Sequence, residues 1–171
     1  AINNSNGIGI NSMQTSSGGL VTCFMETPFN GFLDPQPFEI GDEFGGLEAP
    51  IGGSYAKSFK RPELFPLEDR ANTTIGIVAT DADLTKAQAQ RLATSAHDGI
   101  ARAIVPSHLP YDGDLIFASS TKELPLKDEI YNLAEICHAA SLCMARAIAR
   151  GFYNAKKLPG DPMPTFKNFN N

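Results

Sequence analysis

Several features that would quickly assign a function are scarce in this sequence. Basic residues are few, since 14 Lys and Arg stand against 19 Asp and Glu for a net charge of −5, and they are scattered among carboxylates. Phosphate chains need a clustered positive surface, so nucleic-acid binding is not expected. Apolar runs fall short of the roughly 20 residues that cross a bilayer, and the first residues lack the order of a signal peptide. We therefore expect a soluble, cytoplasmic protein that binds neither nucleic acid nor membrane.

Cysteine is also scarce. Cys23, Cys137 and Cys143 are an odd number and have no CxxC spacing. A disulfide framework or a thiolate metal site would need paired or clustered cysteines. We expect all three to be reduced residues of the core.

Motifs of the common metal and nucleophile sites are missing as well. His97, His108 and His138 show neither HxxxH nor HExxH spacing, and no GxSxG elbow or phosphate-binding loop occurs. Metal sites and hydrolase elbows depend on those spacings. We expect no metal and no cofactor, and we interpret His97 and His108 as structural hydrogen-bonding groups.

The first part of the chain is rich in the residues that break regular structure. Residues 1–19 combine Gly with Asn and Ser, which predicts turns and loops. Residues 20–27 form an apolar run between a Gly pair and a Pro, as in a buried strand. Residues 28–70 carry recurrent Pro and Gly, which predicts a wrapping segment or a linker to a cleavage site. Because the chain begins without Met, we expect a processed or partial chain.

From residue 73 onward, strand and helix patterns alternate. We predict strands over 73–80 and 115–121, and helices over about 85–104 and 129–156, the first opened by a Thr85–Gln88 capping box and the second capped by Asp128. Helices that follow antiparallel strands on one face predict an α+β fold of layered or αββα type. The predicted inner helix faces are Leu92, Ala96, Ile100 and Ala103, and Ile130, Leu133, Ile136, Cys137, Ala140, Cys143, Met144, Ala147 and Ile148.

The strand over 73–80 begins with two hydroxyls. A threonine is a weak nucleophile unless a base lies beside it, and an N-terminal threonine supplies its own α-amine. That amine has an ordinary pKa of about 7.7–8.0, which suits a general base. Cleavage between Asn72 and Thr73 would create both groups at once. The dipeptide alone favours the plainer interpretation, a strand that starts with Thr-Thr.

Asp112 and Asp114 form a second candidate feature, two carboxylates on a tight turn around Gly113. Such a pair can orient an amine, share a proton or bind a cation. A solvated turn is the simpler alternative. If the strand that begins at Leu115 lies next to the one that begins at Thr73, one of the aspartates could bond to the Thr73 hydroxyl or ammonium.

Five segments of the sequence together form a specific pattern, and they are residues 72–82, 96–104, 106–108, 112–114 with 116–118, and 145–151. They resemble the DmpA-type aminopeptidase family, which includes L-aminopeptidase/D-esterase-amidases, β-peptidyl aminopeptidases and nylon-oligomer hydrolases. The resemblance is continuous from residue 72 to about 164. The Asn-Thr junction is most similar to the nylon-oligomer hydrolase branch.

The resemblance implies an αββα sandwich of the N-terminal-nucleophile (Ntn) hydrolase type, cut autocatalytically before its nucleophile. Here that nucleophile would be Thr73, with Asn72 before the cut and Asp112 and Asp114 positioning it. Residues 1–72 would be the end of the α-chain region and its linker, and residues 73–171 the β chain. The α-chain region of the family is longer, so this chain would supply only part of the sandwich. A homo-oligomer of tetramer size or larger is also implied.

At the end of the strand over 20–27, the family has an active-site asparagine where this chain has Thr27, with Asn30 three residues further on. These two residues are the candidates for oxyanion or substrate contacts. The resemblance thus implies an amidohydrolase or aminopeptidase that cleaves small peptides or amide oligomers. The alternative is a non-catalytic member that serves in binding or assembly.

Overall fold

Strands and helices alternate through the second half of the chain, after an initial pair of strands. The computed structural model describes residues 7–27, 73–104, 107, 108, 110, 112–156 and 159, and the statements below concern these residues. The elements are β1 (Gly7–Gln14), β2 (Leu20–Thr27), β3 (Ile75–Ala82), α1 (Lys86–Ala103), β4 (Leu115–Leu124) and α2 (Glu129–Asn154).

The prediction of turns and loops over residues 1–19 was wrong where β1 lies. β1 pairs antiparallel with β2, with Gly7 opposite Thr27 and Gln14 opposite Leu20. The tight turn between them is closed by the Thr15 N–H, which donates to the Gly19 carbonyl at 2.8 Å. Pairing with a neighbouring strand therefore overrides the low strand propensity of Gly, Asn and Ser.

The described strands form one mixed sheet in the order β1-β2-β3-β4. β2 and β3 are antiparallel, as expected, but β3 and β4 are parallel, with Ile75 opposite Leu115. Parallel neighbours need a long crossover, and α1 supplies it. The expectation of antiparallel strands throughout was therefore wrong for β4. This strand also runs three residues beyond its predicted end.

Both predicted helices are confirmed. Thr85 and Gln88 form a complete capping box at α1. At α2, the Asp128 carboxylate accepts the N–H groups of Ile130 at 3.0 Å and Tyr131 at 2.8 Å. Ile130 is nevertheless 84% exposed, contrary to its predicted place on the inner face. It belongs to the first turn, and fully buried positions of α2 begin only at Ile136.

The core lies between the helices and one face of the sheet. Cys23 and Cys143 are buried there, and the free thiol of Cys137 is half-buried, in agreement with the predicted reduced state. The remaining members of the core cluster are Val21, Val78, Ala82, Leu84, Leu92, Ala96, Ile100, Ala103, Ile104, Ile116, Ile136, Ala139, Ala140, Met144, Ala145, Ala147 and Ile148.

Gly99 sets the distance between the two helices. A Cβ on Gly99 would overlap the Ser141 carbonyl oxygen and lie 2.7 Å from Met144 Cβ and 2.9 Å from Ala145 N. The helix backbones therefore approach closely at a point where only glycine fits.

The other face of the sheet is apolar but not covered by the described helices. Its large apolar side chains are 38–53% exposed, and they are Leu20, Phe24, Ile75, Ile77, Leu115 and Phe117. One sheet with helices on one face is half of an αββα sandwich, in which a second sheet covers such a surface. The α+β fold class is thereby confirmed. No helix in the described part of the chain has the length and apolarity to cross a membrane.

Candidate active site

Thr73 and Thr74 directly precede β3, at the edge of the sheet where β4 also begins. The Thr74 N–H donates to Asp114 Oδ1 at 2.9 Å, and the Leu115 N–H donates to the Thr74 carbonyl at 2.9 Å. Thr74 is buried and Thr73 is half-buried. The backbone next to the Thr73 hydroxyl is therefore fixed by two bonds to the start of β4.

Gly113 packs directly against the Thr73 side chain. A Cβ on Gly113 would lie 2.6 Å from Thr73 Oγ1, 3.5 Å from its Cγ2 and 3.6 Å from its Cβ. Among described residues, the positive-φ glycine is Gly18, so the need for glycine at 113 is steric and not conformational. The turn thus leaves room for a hydroxyl at 73 only because position 113 has no side chain.

Asp114 connects this turn to two histidines. Its Oδ2 lies 3.2 Å from His108 Nδ1, with the Asp114 side chain 10% exposed and that of His108 38% exposed. His108 Nε2 lies 3.4 Å from the carbonyl oxygen of His97, and the two rings are 5.2 Å apart. Burial, followed by the neighbouring His108, lowers the pKa of His97 below its ordinary value of 6.5. The folded state therefore disfavours the protonated form of His97.

The structure brings Thr73, Gly113 and Asp114 together, and Asp112 lies half-buried two residues before Asp114. It also places the backbone of Thr27 close to these residues in space. Glu26 is opposite Ile75, so the end of β2 runs beside the start of β3. Asn30 and Asn72 lie outside the described residues. The catalytic roles assigned to Thr73, Asp112 and Asp114 remain predictions, as do the contacts assigned to Thr27 and Asn30.

His108 is the site residue whose connection the sequence did not reveal. Its interpretation as a hydrogen-bonding group agrees with its contacts, but its partner, Asp114, was not foreseen. The signal was present as a histidine in the loop that leads to the aspartate turn. Within the part of the chain described, no group of three His, Cys, Asp or Glu converges as a metal site would require.

Comparisons with known proteins identify the family of the chain. Residues 7–164 match the model of Peptidase family S58, and the chain belongs to that family. This confirms the resemblance to DmpA-type aminopeptidases and to nylon-oligomer hydrolases noted from the sequence.

Two curated relatives illustrate the range of sequence identity and of named activities among the matches. An uncharacterized aminopeptidase of Mycobacterium tuberculosis is 39% identical over 107 residues, which cover 57% of this chain and 30% of that protein. A 6-aminohexanoate-oligomer endohydrolase of Agromyces sp. is 33% identical over 87 residues, covering 48% of this chain and 24% of that protein. The match therefore spans less than a third of either relative.

Solved structures show the same fold. The PH0078 protein from Pyrococcus horikoshii matches with a TM-score of 0.59 at 22% identity, over 91% of this chain and 41% of that one. The L-aminopeptidase D-Ala-esterase/amidase from Ochrobactrum anthropi, described as a variant of the Ntn-hydrolase fold, matches with a TM-score of 0.52 at 20% identity, over 92% of this chain and 42% of that one. The described sheet and helices are thus part of an Ntn-hydrolase-type fold.

Proposed function

We propose that this chain carries the nucleophile of an autoprocessed amidohydrolase or aminopeptidase, and that Thr73 is the nucleophile. The supporting observation is the contact of Gly113 with Thr73 Oγ1, next to the bond from Thr74 N–H to Asp114. Membership of a peptidase family agrees with amide-bond hydrolysis. A nucleophile must be held in a defined position. Here the backbone bonds of Thr74 fix the residue next to the hydroxyl, and the missing side chain at Gly113 leaves room for it.

In the maturation step, Thr73 Oγ1 attacks the carbonyl carbon of Asn72, and the peptide nitrogen leaves as the amine of Thr73. Water then attacks the resulting ester, which releases the Asn72 carboxylate and restores the hydroxyl. The chain is thereby divided into residues 1–72 and 73–171, the two regions expected from the sequence. The free α-amine becomes the base.

In the hydrolytic cycle, the α-amine takes the proton of the Thr73 hydroxyl as Oγ1 attacks the substrate carbonyl. The amine passes that proton to the leaving nitrogen, and an ester on Thr73 remains. Water, deprotonated by the same amine, cleaves the ester. We assign Asp112 and Asp114 to positioning the amine and hydroxyl. Thr27 and Asn30 are the candidates to stabilise the oxyanion.

The proposed substrates are small peptides or amide oligomers, because the relatives include aminopeptidases and 6-aminohexanoate-oligomer endohydrolases. The proposed partners are the rest of the α-chain region and further copies of the protein. The exposed apolar sheet face, which includes Ile77 and Phe117, is consistent with a second sheet contributed by the longer α-chain region.

Two variants of Thr73 test the proposal. Thr73→Val keeps the branched shape without the hydroxyl, whereas Thr73→Ser keeps the hydroxyl. Intact-mass spectrometry measures chain cleavage, and release of an amine from an aminoacyl anilide measures hydrolysis. We expect Thr73→Val to stay uncut and to lose activity by about a thousandfold or more, with Thr73→Ser retaining both in part. An uncut wild-type chain without hydrolysis would instead favour a non-catalytic binding or assembly role.

A further inference from the structure

The two carboxylate oxygens of Asp114 contact different partners. Oδ1 accepts the Thr74 N–H at 2.9 Å, and Oδ2 faces His108 Nδ1 at 3.2 Å. The torsion that turns a carboxylate about its last bond is broad and only weakly restricted. A single hydrogen bond therefore leaves the carboxylate plane free to rotate, whereas contacts to both oxygens define it.

His108 is itself held from its other side. Its Nε2 lies 3.4 Å from the His97 carbonyl, so both ring nitrogens face acceptors, and only the protonated ring donates to both at once. Its backbone has a φ of 56°, in the left-handed region that most side chains avoid. Such a conformation persists where the surroundings determine it.

We propose that His108 is a positioning residue, which donates from Nδ1 to Asp114 Oδ2 and thereby fixes the oxygen that holds Thr74 and the start of β3 beside the nucleophile. This role rests on the proposed function of Thr73. His108 does not contact the reacting atoms, and it acts through Asp114 alone.

The loop geometry allows a matched pair of variants. Asparagine and glycine both tolerate a positive φ, so neither His108→Asn nor His108→Gly adds backbone strain. Asparagine Nδ2 can take the place of His108 Nδ1 as donor to Asp114, while glycine offers no donor. A difference between the two variants therefore reports the hydrogen bond and not the backbone.

The experiment measures kcat and KM for an aminoacyl anilide, the rate of chain cleavage, and thermal unfolding. We expect His108→Gly to lower kcat by about 10- to 100-fold with KM changed by less than about threefold, as for a small displacement of a positioned group. His108→Asn should recover kcat to within about threefold of the wild type. In an Asp114→Asn background, His108→Gly should lower kcat little further, because the contact between residues 108 and 114 is already altered.

Each outcome distinguishes this inference from the proposed function. If Thr73→Val is inactive but His108→Gly matches the wild type, the role of His108 is refuted and that of Thr73 stands. Equal loss in His108→Asn and His108→Gly, or additive losses with Asp114→Asn, would also refute it. If the wild type neither cleaves nor hydrolyses amides, the proposed function fails and this inference with it.

Discussion

Adding a single methyl group at Gly113 should displace the Thr73 hydroxyl. In Gly113→Ala, the new Cβ would lie 2.6 Å from Oγ1, whereas ordinary contact begins at 3.4 Å. The hydroxyl must therefore move by about 0.8 Å, or rotate into another rotamer and leave its position altogether. A misplacement of about 1 Å costs on the order of 100-fold in rate, which corresponds to about 2.7 kcal/mol in the barrier.

The same substitution should scarcely affect the fold. Gly113 is exposed, and the three atoms nearest to its added Cβ all belong to the Thr73 side chain. We expect the free energy of unfolding in urea to change by less than about 1 kcal/mol. Chain cleavage followed by intact mass, and kcat for an aminoacyl anilide corrected for the cleaved fraction, should both fall by about 100-fold.

Gly18→Ala is the matched control. A Cβ on Gly18 meets nothing within 4 Å, but the φ of this residue is +92°. Alanine there should lower stability by about 1–2 kcal/mol through backbone strain and leave kcat unchanged. A Gly113→Ala protein with kcat within about threefold of the wild type would refute the assignment of Thr73 Oγ1 as the positioned nucleophile.

Two further predictions concern the packing and the pH dependence of the domain. Gly99→Ala should lower the free energy of unfolding in urea by about 1–3 kcal/mol, because the new Cβ meets backbone atoms of Ser141 and Ala145. We expect this loss even though alanine has a higher helix propensity than glycine. Unchanged stability would contradict the close contact between the helices. His97 has a pKa lowered by burial and by His108, so the unfolded chain binds its proton more readily than the folded one. The free energy of unfolding should therefore be unaffected above the ordinary pKa of about 6.5, and below that pH it should fall by at most about 1.4 kcal/mol per pH unit. Urea unfolding between about pH 7 and pH 5.5 should show a flatter decline for His97→Gln than for the wild type. An identical decline in both proteins would contradict this role of His97.

Much of the fold was predictable because the signals were local. The capping box at Thr85 and the cap at Asp128 need only a few neighbouring residues, and both helices begin where these signals predict. β1 gave no such signal. Its strand conformation comes from pairing with β2 across the turn, which propensities of single residues do not record.

In the candidate site too, local motifs were predictable and contacts between distant residues were not. The aspartate turn and the paired threonines could be recognised as short motifs. The contact of His108 with Asp114 could not, because it depends on the path of the loop and on a positive φ at His108. The steric role of Gly113 likewise depends on which residue lies beside it at the start of the neighbouring strand.

The parallel pairing of β3 and β4 is what makes the site. Thr73 precedes β3 and Asp114 precedes β4, so parallel strands in the observed register bring the two residues to one edge. Antiparallel pairing over the eight residues of β3 would have separated them by about 26 Å, at about 3.3 Å per residue. The sequence contained this information in α1, because a helix between two neighbouring strands favours a parallel crossover. The antiparallel step from β2 to β3 then brings the end of β2, at Thr27, to the same edge. Strand direction therefore brings Thr73, Asp114 and the backbone of Thr27 to one edge of the sheet, although the three residues are far apart in the sequence.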